Sequence, residues 1–180
     1  MKTSLSLIGA LFLLISLPLA SSHAAPSVRL EEANAKLRVE MTEAMREGAA
    51  KHGIEILSDG IVYASRDDGM VANTGVAEFE NLTYDHLARG AVVGFTYYSG
   101  FDIEPGFYRT YVVFPKGAKA GTAYLLDAEG RSVKTATVTP STATPPASVE
   151  RGKFTASIGW RHVTVDYHSK HLSIDVTVSW

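Results

Sequence analysis

HVTVDYHSKHLSIDVTVSW, residues 162–180, decides the fold class because apolar and polar residues alternate along both of its halves. Alternation with a period of two indicates strands that bury one face. When Tyr167 is paired with Leu172 around the loop 168–171, one register collects the apolar residues on a single face. The residues predicted on this buried face are Val163, Val165, Tyr167, Leu172, Ile174 and Val176, and those predicted on the polar face or in the loop are His162, Asp166, His168 and His171. The sequence therefore predicts an antiparallel hairpin over residues 161–180.

The same alternation extends through the chain after Gly53. Candidate strands, most of them separated by turn sequences such as SDG, RDDG and EPG, are 54–57, 61–65, 76–82, 91–98, 107–114, 122–126, 132–138, 153–158, 161–167 and 172–180. Short strands with turns and no helices between them predict a mainly-β fold, an antiparallel β-sandwich. The stretch 139–148, rich in Pro and Thr, has the composition of a linker, but a separate hairpin after it is at best marginally stable. We therefore predict one domain over residues 25–180, with a surface loop at 139–148.

Residues 27–52 are predicted to form an N-terminal helix of this domain. Ser27 suits the N-cap, and Gly53 suits the left-handed position after the last turn. Apolar or small residues recur at spacings of three and four and form one narrow stripe: Leu30, Ala33, Leu37, Met41, Ala44 and Gly48. Such a stripe favours a helix that lies close against the sheet. Docking to a partner or a coiled-coil seam is the alternative.

Residues 1–24 have the pattern of a secretory signal peptide. Lys2 precedes an apolar run over residues 5–19, and Ser22-His23-Ala24 is a small-x-small cleavage sequence. The run is shorter than the roughly 20 residues that cross a bilayer. We therefore expect cleavage after Ala24, no transmembrane helix in the mature chain, and export to the bacterial periplasm or out of the cell.

Charge and cysteine content exclude several classes of function. The formal net charge of −2 provides no basic face for nucleic acid. The chain has no cysteine, so disulfide, thiolate and Cys-zinc chemistry are closed to it. No cofactor is predicted, because the chain contains no recognisable nucleotide, metalloprotease or nucleophile-turn motif.

The stretch FTYYSGFDIEPGFYRTYVVF, residues 95–114, is the best candidate for a binding surface. It contains eight of the 17 aromatic residues that the composition gives, and such density is typical either of a packed hairpin or of an aromatic platform. Neighbouring strand residues point to opposite faces, so Tyr97 and Tyr98 cannot both enter one core. The residues predicted to hold a carbohydrate or protein ligand are Tyr97, Tyr98, Tyr108, Tyr111, Asp102, Glu104 and Arg109.

The histidines of the C-terminal hairpin provide the enzymatic alternative. Asp166, His168 and His171 are the candidate ligands of a metal, or the acid and base groups of a hydrolase. His162 lies six residues from His168, roughly 20 Å along a strand, and so does not join them. We favour exposed loop histidines over a metal site.

A membrane barrel is the architectural alternative. Alternate apolar residues from Leu172 to Val178, followed by Trp180, give a strand that resembles the C-terminal strand of bacterial outer-membrane barrels. This resemblance implies a small outer-membrane β-barrel, although several candidate strands are shorter than the roughly 9 to 11 residues that such barrels need. The sequence as a whole favours an exported, non-catalytic binding or structural module, with the hydrolase and the membrane barrel as alternatives.

Overall fold

The computed structural model of the protein describes residues 41–57, 61–66, 69–142 and 153–180. The described part of helix α1 is residues 41–51. A 3-10 helix, Ala77–Asn81, and helix α2, Tyr84–Arg89, follow the second strand. The strands are β1 (Val62–Arg66), β2 (Gly69–Thr74), β3 (Ala91–Gly100), β4 (Ile103–Val113), β5 (Gly121–Leu126), β6 (Ser132–Pro140), β7 (Lys153–Gly159), β8 (His162–His168) and β9 (Ser173–Ser179). The predicted signal peptide, the first part of the predicted helix 27–52 and most of the predicted loop 139–148 lie outside the described residues.

The nine strands form one antiparallel sheet in the order β1-β2-β3-β4-β5-β6-β9-β8-β7. Cα atoms of the edge strand β1 lie within 8 Å of those of the other edge strand, β7, so the sheet is nearly closed. The predicted mainly-β, antiparallel fold with an N-terminal helix is confirmed. The strands join in one nearly closed sheet, as in a barrel, rather than in the two packed sheets of the predicted sandwich.

The hairpin of β8 and β9 forms in a register two residues away from the predicted one. Tyr167 pairs with Ile174, and His168 belongs to the strand and pairs with Ser173. The turn begins at Ser169, whose backbone N–H donates to the Leu172 carbonyl over 2.7 Å. A shift of two residues keeps every side chain on its face. All six residues predicted for the apolar face are therefore buried, as expected.

The predicted strand 76–82 is wrong, because this segment forms the 3-10 helix. Val76, Phe79 and Leu82 are buried and spaced by three residues, which is the repeat of a 3-10 helix. The strand that precedes this segment, β2 (Gly69–Thr74), was not among the predicted strands. The predicted strand 54–57 contributes one isolated bridge, between Ile56 and Val76.

Helix α1 lies against the outer face of β3 and β4. Met45 and Ala49 are buried there, and the His52 and Phe95 rings lie 5.8 Å apart between centroids. A Cβ atom at Gly48 would lie 3.1 Å from the Phe107 ring, so glycine lets the helix approach closely. The predicted packing of the helix on the sheet is confirmed for the part of α1 that the structure describes.

The opposite face of the sheet encloses the core. Val71, Val112, Leu125 and the buried face of β8 and β9 fill it with apolar side chains. One polar cluster lies among them: the hydroxyl oxygens of Thr96 and Thr110 are 3.2 Å apart. Burial raises the pKa of Tyr167, and hydrogen bonding by the Thr110 and Thr96 hydroxyl groups to its phenol oxygen opposes this rise. The cluster connects β3, β4 and β8 through the middle of the core.

Candidate functional site

Tyr98 and Tyr108, two members of the predicted aromatic platform, lie in the core. Both are buried, and their ring centroids are 6.2 Å apart. The Tyr108 hydroxyl donates to the backbone carbonyl of Glu104. Burial raises the pKa of Tyr98 far above its ordinary value. The prediction that these two rings stack on a ligand is therefore corrected, because alternation along β3 and β4 turns them inward.

Tyr97 and Tyr111 lie on the opposite face of the sheet and are half-buried. The Tyr97 ring packs against Phe107 with 5.1 Å between centroids. Tyr111 packs against Tyr124, and its hydroxyl occupies the place of a Cβ atom at Gly90. The four predicted tyrosines therefore do not form a common platform, and the side chains around them cover most of each ring.

The three charged residues predicted for the site lie on β4 or directly before it. Asp102 is exposed and lies 3.9 Å from the ammonium group of Lys134. Glu104 is exposed as well. Arg109 donates from Nη2 to the backbone carbonyl of Asp127, over 3.2 Å. Asp127 lies in the turn that joins β5 and β6, so Arg109 contacts this turn.

A groove of about 460 Å³ lies between β4 and this turn, and we call it the acidic groove. Its lining combines apolar surface with charge: Glu104, Gly106, Phe107, Tyr108, Asp127, Ala128, Glu129, Arg131, Ser132 and Val133. The turn is held by hydrogen bonds from Asp127 N–H to the Arg131 carbonyl and from Gly130 N–H to the Asp127 carbonyl, 3.0 and 3.1 Å long. Gly130 has a φ of 80°, which glycine adopts without strain. A short, hydrogen-bonded turn thus fixes one wall of the groove.

The acidic groove carries three carboxylates and one guanidinium, a net charge of −2. Arg131 donates from Nε to Asp127 over 2.8 Å and from Nη2 to Glu129 over 3.2 Å. Burial raises the pKa of Asp127, but hydrogen bonds and charge attraction from Arg131 outweigh it and lower the pKa below its usual value. Asp127 therefore stays ionised, and Glu104 on the opposite wall contributes the uncompensated charge.

Only part of this groove was predicted from the sequence. Glu104 and Tyr108 line it, but Arg131 and Val133 were not predicted. Val133 is 46% exposed, although strands generally turn a valine inward. The pattern DAEGRSV, residues 127–133, contained a signal: a charged turn followed by a valine in a polar position.

The predicted metal ligands Asp166, His168 and His171 do not form a site. His168 is only 7% exposed, and its Nδ1 lies 2.6 Å from the Ser173 hydroxyl oxygen. His171 is exposed in the turn. Across the described ranges, no three His, Asp or Glu side chains lie in positions that could hold a metal ion. The metal alternative is corrected, as is the exposed position predicted for His168, because His168 ends a strand rather than lying in the loop.

Two aspartates lie directly opposite each other in the same hairpin. Asp166 is the Cα partner of Asp175. Burial raises the pKa of Asp175, and the neighbouring Asp166 raises it further, whereas Ser141 and His168 lower it. A hydrogen bond between the two carboxyl groups requires a shared proton. The Asp175 carboxyl group is therefore protonated more readily than that of an isolated aspartate.

No protein-family model, no curated protein and no solved structure matches the chain. Among the described residues, no helix combines the length and the apolar character that membrane crossing requires.

Proposed function

We propose that this protein is an exported binding module whose acidic groove holds a basic segment of a partner protein. The observation that carries the proposal is the combination of a net negative charge with the exposed Val133 in one groove. Export rests on the pattern of residues 1–24.

The groove suits a lysine or arginine side chain better than a neutral ligand. Long basic side chains place their aliphatic stems on apolar surface while the charged group reaches carboxylates. Val133 and the edges of Phe107 and Tyr108 offer such a surface, and Glu104 and Glu129 lie beside it. Arg131 already pairs with both Asp127 and Glu129, so Glu104 is the groove carboxylate best placed to attract a second cation, and Glu129 can share that cation.

The open, partly exposed groove also sets the strength of the interaction. Exposed ion pairs contribute about 0.2–1 kcal/mol each and weaken with added salt. We therefore expect weak binding by charge alone, with additional affinity from contact with Val133. This favours a short peptide segment over a single amino acid as the ligand.

An array of immobilised random dodecapeptides tests the proposal. The full chain without residues 1–24 should select peptides in which Lys or Arg neighbours an aliphatic residue. Replacing Glu104 and Glu129 together by Lys should reduce binding to the selected peptides about tenfold. The matched control is Glu55→Lys, a charge reversal at an exposed position outside the groove. Selection of peptides without basic residues, or equal loss in the control, would refute the groove as the binding site.

The exported location has its own test. Cell fractionation should find the chain shortened after Ala24 outside the cytoplasm. Replacing Leu13 and Leu14 by Arg should keep the full-length chain inside the cell, because charges disrupt the apolar run. A full-length chain in the cytoplasm of unaltered cells would overturn the export proposal without affecting the groove.

A further inference from the structure

The outer face of β5, β6, β9, β8 and β7 carries one hydroxyl-bearing residue from each strand in a single row. Thr122 pairs with Thr137, Thr137 with Thr177, Thr177 with Thr164, and Thr164 with Ser157. We call these five residues the hydroxyl row. Strands lie about 4.8 Å apart, so the row extends over about 19 Å.

The hydroxyl row faces away from the core. Its sequence neighbours Val138, Val176 and Val165 are buried, and alternation puts the hydroxyls on the other side of the sheet. Thr137 and Ser157 are exposed, and the remaining members are half-buried. A shallow groove of about 240 Å³ follows the β5 end of the row, from Thr122 to Thr177, and is also lined by Thr135 and Ser179.

The row itself is uncharged, and Asp166 and Asp175, which lie two residues along β8 and β9 on the same face, disfavour an anionic ligand beside it. Exposed sheet faces usually carry charged residues, which keep proteins soluble and prevent sheets from pairing. The strand preference of threonine explains any single member, but not an uncharged row across five neighbouring strands. Each hydroxyl both donates and accepts hydrogen bonds, as the 3.1 Å contact between Thr164 and Thr177 shows. A ligand matched to this row carries many hydroxyl groups and no charge.

Trp160 lies at the end of this face, in the turn between β7 and β8, and is 81% exposed. Its carbonyl accepts a hydrogen bond from His162 Nδ1 over 2.9 Å. The next residue, Arg161, donates from Nε to the Trp180 carbonyl over 2.7 Å and has a φ of 55°, where a residue other than glycine is strained. The turn is thus fixed while its indole ring remains free to stack on the apolar face of a ring.

We infer that the hydroxyl row and Trp160 together bind a neutral polysaccharide. The hydroxyls hydrogen-bond to the sugar hydroxyls along the row, and the Trp160 indole stacks on a pyranose ring at its end. The length of the row matches a polymer rather than a single sugar. This inference does not depend on the acidic groove, which lies on another part of the sheet.

Co-sedimentation with insoluble polysaccharides tests the inference. The full chain without residues 1–24 is mixed with cellulose, chitin, xylan, mannan or β-1,3-glucan, and with insoluble calcium alginate as the acidic comparison. We expect retention on at least one neutral polymer and none on alginate. Trp160→Ala and Thr137→Lys should each lower the bound fraction at least tenfold on that polymer.

Two controls separate loss of binding from other effects. Ala118→Lys introduces the same charge in the exposed loop between β4 and β5 and should leave retention unchanged. If Thr137→Lys fails to fold, Thr137→Val replaces only the hydroxyl by a methyl group and should still weaken retention. Binding to no neutral polymer, or retention equal to that of the unaltered chain in both the Trp160 and the Thr137 variants, would overturn the inference. Charge reversal at Glu104 and Glu129 should not affect retention, which distinguishes this face from the groove.

Discussion

Cysteine substitution of Thr164 and Thr177 tests the register of β8 and β9, since the chain has no cysteine of its own. The two residues are Cα partners, and their hydroxyl oxygens lie 3.1 Å apart. Disulfides join Cα atoms that lie about 4.4–6.8 Å apart, a range that includes directly opposed strand residues. We expect the pair to form a disulfide readily in oxidising buffer.

The expected gain in stability follows from the length of the closed loop. The disulfide links residues 164 and 177 and closes a loop of about 14 residues, for which the chain-entropy model gives about 3 kcal/mol. In a domain of this size each kcal/mol raises Tm by about 2–4 °C, so oxidation should raise Tm by about 6–12 °C. Thermal unfolding followed by circular dichroism, with and without dithiothreitol, measures the difference.

The control pair is Thr164→Cys with Asp175→Cys. Position 175 lies opposite Thr164 in the register that the sequence predicts, but in the structure it is a diagonal neighbour about 7–8 Å away. Cross-linking of this pair should be slow and should not stabilise the protein. Faster cross-linking of 164 to 175 than of 164 to 177 would show that the register described above is wrong.

Three further predictions concern the core and the acid pair. Ile174→Ala should lower the free energy of unfolding in urea by about 2–4 kcal/mol, because the side chain is fully buried; a loss below about 1 kcal/mol would contradict this packing. Gly94→Ala should lower the free energy of unfolding by about 1–3 kcal/mol, because the added Cβ atom would meet the Tyr167 hydroxyl. The decrease should be smaller in a Tyr167→Phe background, and an equal decrease would contradict the contact. The pKa of Asp175 is raised in the folded state, so its contribution to stability is full below the unfolded pKa and is lost as pH rises through the raised value. Urea titrations across that pH range should show the loss of unfolding free energy. The Asp166→Asn substitution should reduce this pH-dependent loss without abolishing it, because burial is the larger cause of the raised Asp175 pKa. An unchanged pH profile in Asp166→Asn would show that Asp166 does not affect Asp175.

The faces of the strands followed from the sequence, but their register did not. Alternation put Val165 and Ile174 on the buried face, and they are buried. The register depended on where the turn begins, and the hydrogen bonds of Ser169 move it by two residues. Such a shift changes no face, so hydrophobicity alone cannot detect it. Closure of the sheet through β1 and β7 likewise has no local signature.

The candidate site was harder to predict than the fold for a related reason. Alternation separated Tyr97 from Tyr98, as expected. Helix α1, which covers the outer face of β3, lies more than forty residues away from Tyr97 in the chain. The acidic groove joins Glu104 on β4 with Glu129 in a later turn, and only the pairing of β4 with β5 brings these two together. A short stretch of sequence therefore predicts neither the packing of α1 on β3 nor the proximity of Glu104 to Glu129.

The place of β9 in the sheet has a consequence for folding. This strand follows β8 in the chain but lies between β6 and β8, and it pairs with both. Without it, the sheet would be divided into a meander of six strands and a separate hairpin, each with an unpaired edge open to other chains. Closure must therefore wait for contacts between segments that lie far apart in sequence, which slows folding. Because β9 is the strand that joins the two parts, both of these edges stay unpaired until β9 has docked between β6 and β8.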